Sequence, residues 1–282
     1  MLRHHPLTGE PIVYAPERGA RPRAFLGAPQ EERCPFCPGH EDDTPAEVAR
    51  SGEPWRVRVV PNKYPPADGA EVLIESPRHS DAFHDLERAE DVVRMYAQRY
   101  ATHADAPHVA LFKNHGERAG SSLAHIHSQL VPLPFMPPRI ERETHAFARA
   151  ARCPICAMLH EQRDDALIVR ETTSFVWLTP RDSWMPYQQW IVPKAHVRDL
   201  MPLAADAAAE LASLLREASA AMTAIAPAYN WTFLNFPRAD AAHAYIDLFP
   251  RVATLAGLEL GTGAFIQVVD PAVAARRLRR TP

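Results

Sequence analysis

The chain has no long uninterrupted hydrophobic run. Its most apolar stretch, Pro202 to Tyr229, is broken by Asp206, Glu210, Arg216 and Glu217, so no segment reads as a membrane span. The opening residues MLRHHPLTGEP lack the apolar core of a secretory signal, which predicts a cytoplasmic protein. No polybasic arm stands out and the net charge is −3; nucleic acid, which needs many phosphates neutralised, is not an expected partner. Glycine is sparse, with 11 residues, too few for a low-complexity tail. Cysteine is confined to four positions in two Cys-Pro-x-Cys pairs, Cys34/Cys37 and Cys153/Cys156. In a cytosolic chain such pairs point to metal before disulfide.

What remains is an ordinary folded composition, 46% hydrophobic and 23% charged over 282 residues, enough for one or two domains. The 28 prolines shorten regular elements and favour ordered loops. Internal similarity is the most informative feature. CPFC at 34 recurs as CPIC at 153, IESPRH ending at His79 recurs as IVPKAH ending at His196, and HIHSQL from His125 has a counterpart in HAYIDL from His243. Three landmarks with nearly one offset predict a duplicated unit, with halves 1–135 and 150–282 joined near the proline-rich stretch 131–154.

Each half shows the same order of elements. VRVV at 57–60, EVLI at 71–74, SFVWL at 174–178 and QWIV at 189–192 read as strands. A helix follows each pair, with apolar stripes Leu86, Ala89, Val93, Tyr96, Tyr100 and Leu211, Leu214, Leu215, Ala218, Met222, Ile225. Two further strands close each half, HVALFKN with HIHSQLVPL and NWTFLNF with HAYIDLF. The expected fold class is α+β: a tandem duplication, each half a mostly antiparallel sheet with one long helix. Asp270 before Pro271 predicts the start of a last helix whose arginines end in solvent.

The repeated cysteines bring repeated histidines with them. Cys34, Cys37, His79, His125 and Cys153, Cys156, His196, His243 are two sets of four ligands of the kind structural zinc favours. Two thiolates and two neutral imidazoles nearly cancel the metal charge, which lowers the cost of burial. The expectation is therefore zinc at two sites per chain. A redox role for the cysteine pairs would need a free low-pKa thiolate, which ligation removes.

The segment NHGERAGSSLAHIHSQ, Asn114 to Gln129, is the richest. On a strand His125, His127 and Gln129 share one side. With His125 on a metal, a neutral His127 beside it could attack an α-phosphorus, and Gly120, Ser121 and Ser122 suit phosphate oxygens. From spacing alone, His-x-His is weak evidence, and two further metal ligands or two solvent-facing side chains fit it better.

The pattern N-x-G-x-x-x-G-x-S-x-x-H-x-H-x-Q, from Asn114 to Gln129, resembles the active-site signature of the galactose-1-phosphate uridylyltransferase family, the transferase branch of the histidine-triad superfamily. PLTGEPIVYAPERGARP resembles its N-terminal segment, which implies phosphate contacts by Arg18 and Arg21, and VVPNKYP implies a nucleotide contact by Asn62. SPRH resembles the segment that carries a zinc histidine, which implies His79 as a ligand. LELGTGAFIQVVDPAVAARRLR resembles the C-terminal segment near the hexose phosphate and makes Glu259, Gly261 and Gln267 candidates. The resemblance makes His127 the nucleotidyl-histidine and Gln129 its phosphoryl partner. Glutamine in place of a third histidine implies transfer over hydrolysis. Tyr245 stands where a second active histidine would be, so the second half is expected to be a scaffold. Its Cys2His2 set is similar to that of the ADP-glucose phosphorylase subgroup.

The implied activity moves a nucleoside monophosphate between a nucleoside diphosphate sugar and a hexose 1-phosphate by a ping-pong mechanism, with a homodimer as the implied assembly. Phosphorolysis of ADP-glucose or of a dinucleoside polyphosphate is the alternative within the family. A zinc-stabilised nucleotide-binding protein without catalysis is the alternative outside it; the presence of both His127 and Gln129 speaks against it.

Overall fold

The computed structural model describes residues 1–20 and 33–280. Two short strands, β1 (Leu2–His4) and β2 (Pro11–Val13), form a separate ribbon. All other strands belong to one sheet: β3 (Ala49–Ser51), β4 (Val57–Pro61), β5 (Glu71–Ile74), β6 (His108–His115), β7 (His127–Leu133), β8 (Ile168–Glu171), β9 (Phe175–Leu178), β10 (Gln189–Pro193), β11 (Tyr229–Leu234) and β12 (Tyr245–Pro250). Their order is β3-β4-β5-β7-β6-β11-β12-β10-β9-β8, and every neighbouring pair is antiparallel. The helices are α1 (Ala89–Ala101), α2 (Pro138–Arg149), α3 (Pro154–His160), α4 (Met201–Asp206), α5 (Ala208–Thr223), α6 (Gly257–Thr262) and α7 (Pro271–Leu278). Among the described residues no helix is long and apolar enough to cross a membrane.

The two long helices form where the sequence stripes place them. Val93, Tyr96 and Tyr100 of α1 and Leu211, Leu214, Leu215, Ala218 and Met222 of α5 are buried. They pack with Leu73, Leu111, Leu130, Trp231, Phe233 and Ile246 of the sheet into one core. Each fully buried leucine or valine there contributes roughly 2 kcal/mol of transfer free energy. Alternation along the strands leaves the other face of the sheet for different work.

The duplication is written into the strand register. Val60 pairs with Val72, Val72 with Gln129, and Gln129 with Phe112. In the second half Leu178 pairs with Trp190, Trp190 with Asp247, and Asp247 with Thr232. Phe112 pairs directly with Thr232, so one row of eight residues crosses the sheet and reads the same from either end. The axis relating the halves passes between β6 and β11.

Three expectations are modified. The two sheets expected separately are one continuous sheet, because β6 and β11 each leave an edge that the other covers. The proline-rich joint 131–154 contains a helix, α2, whose Pro138 sits in the first turn, where a missing N–H costs nothing. The strand expected from His125 begins at His127, because His125 is turned into a side-chain cluster. The last helix is as expected: Asp270 accepts from the N–H groups of Ala272 and Val273.

Candidate functional site

Four donor atoms meet where β7 begins. Cys34 and Cys37 lie on a turn closed by the Cys37 N–H donating to the Cys34 carbonyl at 3.2 Å. Cys34 Sγ lies 3.7 Å from His125 Nδ1, Cys37 Sγ 3.6 Å from the same atom, and Cys37 Sγ 3.5 Å from His79 Nδ1. All four ligand atoms fall within 4.8 Å of one another. A tetrahedron with the bond lengths of zinc to thiolate and imidazole has sulfur-to-nitrogen edges of about 3.6 Å, so the donor set fits such an ion. The outer nitrogen of His125 is fixed by the Ser76 carbonyl at 2.7 Å, the kind of contact that orients a ligating imidazole. Burial pushes the Cys34 thiol up to about 11, so a metal ion taking the thiolate would displace a proton.

The second set repeats this arrangement. Cys153 Sγ and Cys156 Sγ lie 3.7 and 3.5 Å from His243 Nδ1, and Cys156 Sγ lies 3.3 Å from His196 Nδ1. His243 is oriented by the Pro193 carbonyl at 3.0 Å and His196 by that of Asp240 at 3.2 Å. Both clusters could therefore hold metal ions.

Beside the first cluster a cavity of about 620 Å³ opens on the face of the sheet opposite α1 and α5. His127 and Gln129 of β7 and Val60 and Val72 of β4 and β5 form its floor, and Pro35 and Phe36 from the cysteine turn form one wall. Asn62, Lys63 and Tyr64 after β4, Ser122 and Leu123 before β7, and Arg33, Asp42, Asp43 and Thr44 before β3 also line it. The cluster and the cavity thus share one loop. His127 is 5% exposed, meets the Phe36 ring edge-on at 5.4 Å between centroids, and bonds the His125 carbonyl through Nδ1 at 2.8 Å. That bond places the proton on Nδ1 and leaves Nε2 with its lone pair. Burial drives the His127 pKa down to about 4, so the ring is neutral at pH 7, as a nucleophile requires.

Other expected residues are distributed as follows. Arg18 donates to the Tyr64 carbonyl and so lies against the cavity rim, while Arg21 lies outside the described residues. Asn62 accepts from the Tyr64 N–H at 2.9 Å. Asn114 and Gly120 line a neighbouring cavity of about 490 Å³ with Arg118 and Arg251. Asn114 is held there by Asn230, which donates to it at 2.8 Å and to the Ala119 carbonyl at 3.0 Å. Gly120 has φ +86°, a left-handed conformation that glycine adopts without strain. Ser121 turns its hydroxyl to the Leu123 carbonyl at 2.8 Å. Glu259 lies half-buried and Gly261 exposed on α6, and Gln267 donates to the carbonyls of Ser183 and Met185; none of the three lines the His127 cavity.

Comparison with known proteins agrees with this geometry. The family model described as "Domain of unknown function (DUF4921)" matches residues 89–281. The chain belongs to that family. It is also 28% identical to ADP-glucose phosphorylase of Arabidopsis thaliana, over 99% of this chain and 92% of that protein. Identity to galactose-1-phosphate uridylyltransferase of Thermotoga maritima is 27%, over 99% and 98%. The crystal structure of the Arabidopsis ADP-glucose phosphorylase with bound ADP-glucose matches with a TM-score of 0.81 at 26% identity, covering 100% of this chain and 99% of that one. The kinship with galactose-1-phosphate uridylyltransferases read from the sequence holds along the whole chain, and the DUF4921 protein is an enzyme of that kind, a nucleotidyltransferase or phosphorylase.

In this DUF4921 chain the second half treats the matching ground differently. Tyr245, at the place of His127, donates to Glu143 at 2.9 Å, and Arg139 donates to Tyr245 Oη at 3.2 Å and to Asp247 at 2.8 Å. Gln188 donates to the other Asp247 oxygen at 2.7 Å. The position is filled by a satisfied polar network under α2. Sequence reasoning missed Phe36 and Tyr64 as cavity residues; their only signal was adjacency to Cys37 and Asn62.

Buried imidazoles also set an acid limit. His108, His115 and His127 each have a pKa lowered to about 4 by burial, against about 6.5 in the unfolded chain. Between those values the unfolded chain binds protons that the folded one does not. Stability present above about pH 6.5 is therefore lost as the pH falls towards 4. Thermal melts at pH 7.5 and pH 5 are expected to differ by on the order of 1 to 2 kcal/mol per buried imidazole. A melting temperature that holds or rises on acidification would contradict their neutral burial.

Proposed function

We propose that the chain transfers a nucleoside monophosphate from a nucleoside diphosphate sugar to a phosphate acceptor, through a covalent adduct on His127. The observation that carries this reading is the buried neutral imidazole whose Nδ1 is tied to the His125 carbonyl at 2.8 Å, leaving Nε2 as the free ring nitrogen in a cavity of about 620 Å³. Nε2 forms a bond to the α-phosphorus as the bond from that phosphorus to the bridging oxygen breaks, releasing sugar 1-phosphate. An oxygen of the acceptor phosphate then displaces Nε2. In this reading Gln129 donates to a phosphoryl oxygen, Asn62 and Arg18 meet the nucleotide, and Asn114, Gly120, Ser121 and Ser122 hold the phosphates. The first half is catalytic and the second a scaffold, and both Cys2His2 sets hold zinc.

The acceptor has two readings. Hexose 1-phosphate gives an exchange of sugars; inorganic phosphate gives phosphorolysis of ADP-glucose. The bound ADP-glucose of the Arabidopsis relative and the Cys2His2 second site favour an adenine nucleotide. Glu259, Gly261 and Gln267, with exposed Leu258, Leu260 and Ile266 around them, suit a homodimer in which this segment reaches the partner's cavity.

The test is trapping. Protein mixed with ADP-glucose or UDP-glucose labelled in the α-phosphate, without acceptor, is expected to retain label through denaturation on the peptide holding His127, as an acid-labile, base-stable adduct. Chasing with inorganic phosphate or glucose 1-phosphate identifies the acceptor by the product released. Absence of retained label with every nucleotide sugar tried would overturn the double displacement.

A further inference from the structure

Directly beneath His127, on the side of the sheet covered by α1 and α5, lies a cluster of polar groups that the reaction as drawn does not use. Lys113 of β6 is 1% exposed and Glu75, just after β5, is 2% exposed. They form an ion pair. Glu75 also accepts from the hydroxyls of Tyr96 on α1 and Ser128 on β7, and those two hydroxyls lie 2.8 Å apart. The ammonium of Lys113 sits 5.4 and 5.6 Å from the ring centroids of Trp231 and Phe83, so an aromatic core surrounds it.

Its remaining partner gives the cluster meaning. Lys113 Nζ donates to the His127 carbonyl at 3.1 Å. The register between β6 and β7 ends at the pair Phe112 and Gln129, two residues short of His127. There β7 is paired only on its other side, where Ile74 of β5 faces His127. A strand residue that must present a side chain in one orientation thus sits where half of its ladder has run out.

We propose that Lys113, held by Glu75, is a positioning residue for His127: its ammonium replaces the missing ladder donor at the His127 carbonyl and so fixes the imidazole from beneath the sheet. This rests on His127 being the nucleophile. The ring is then held at two points, through its backbone by Lys113 and through Nδ1 by the His125 carbonyl, which aims Nε2 into the cavity.

The second half supplies the contrast. At the matching register positions Phe233 stands for Lys113, Pro193 for Glu75 and Ile246 for Ser128, and Tyr245 stands for His127. Where no nucleophile has to be aimed, the same sheet is held by apolar side chains. A buried ion pair is at best a weak stabiliser, and apolar replacement is often neutral or better. Retention of a full pair under His127 alone is therefore explained by orientation and not by stability.

The experiment uses the double variant Lys113→Met/Glu75→Gln, which removes both charges together so that neither is left buried without its partner. K113Q/E75Q, whose shorter side chain does not reach the His127 carbonyl, serves if the first does not fold. In folded, metal-loaded variant the KM for nucleotide sugar is expected to stay within about threefold of wild type, while the single-turnover rate of His127 labelling falls roughly a hundredfold, the scale of a misplaced reacting group. Tyr96→Phe, which touches Glu75 and Ser128 but not His127, is expected to label at nearly the wild-type rate. Histidine-selective nitrogen NMR, assigned with His127→Gly, reads orientation independently of turnover. Wild type should show His127 in the single Nδ1–H tautomer, and the double variant should show tautomer exchange with the His125 signals unmoved. Labelling at wild-type rate in the folded double variant, equal damage from Tyr96→Phe, or an unchanged His127 signature would each overturn the positioning role. If wild type never labels but its His127 signature changes in the double variant, the nucleotidyl-histidine reading fails and the positioning role stands.

Discussion

His127→Gly is expected to stay folded and metal-loaded and to lose nucleotidyl transfer by roughly 10⁴-fold or more, the scale seen when a covalent nucleophile is removed. The separation is clean because neighbouring side chains have divided the work. His125 faces the sulfur atoms of Cys34 and Cys37, whereas His127 lines the cavity floor and bonds the His125 carbonyl. Removing the ring leaves the cluster, the floor and the Ser122 loop in place. Added imidazole is expected to enter the vacated space and restore part of the attack on the α-phosphorus, producing a free nucleotidyl-imidazolide. Turnover by His127→Gly at the wild-type rate, measured with the true nucleotide sugar, would remove the mechanism proposed here.

Loss of a cysteine should act differently in the two clusters. Cys153→Ser is expected to lower metal content from two ions per chain to one and to destabilise the fold by several kcal/mol, since binding free energy at a structural site is folding free energy. The residues affected, Cys153 at the start of α3, His196 after β10 and His243 before β12, all lie in the half where Tyr245 stands at the place of His127, so turnover per folded molecule should persist. Cys34→Ser is expected to lose stability and activity together, because the same turn carries Pro35 and Phe36 into the cavity wall. The measurement is metal analysis and thermal melting alongside single-turnover labelling. If Cys153→Ser abolished labelling in protein of unchanged melting temperature, the scaffold role of the second half would be wrong.

Much of this arrangement was legible in the residues. Alternation and stripes located the main strands and both long helices, because burial on one face imposes a period that sequence displays directly. The paired cysteines and histidines located the two clusters, because duplication repeated them at nearly constant spacing. Other features were not legible, for identifiable reasons. The fusion of two sheets into one depends on the β6 and β11 edges finding each other, and the Asn114 and Asn230 pair that marks this contact is far apart in the chain. The helix α2 was obscured by the prolines around it, although Pro138 at a first turn favours a helix. Lys113 sits inside the apolar run HVALFKN, where a single charge reads as an outward-facing residue. Only the structure shows it pointing inward to Glu75. Glu259, Gly261 and Gln267 were reached by resemblance alone, and their place outside the His127 cavity could not be read from spacing.

The pairing of Phe112 with Thr232 bears on how the chain can be cut. Severing it within α2 would leave β6 and β11 as bare edges, each with a row of unpaired amide and carbonyl groups flanked by buried aromatic side chains such as Trp231 and Phe233. Such an edge is a template for any other extended chain. Although the sequence looks like two modules in series, neither is expected to fold when separated from the other, and the repeat boundary at 131–154 is a poor place to divide the protein.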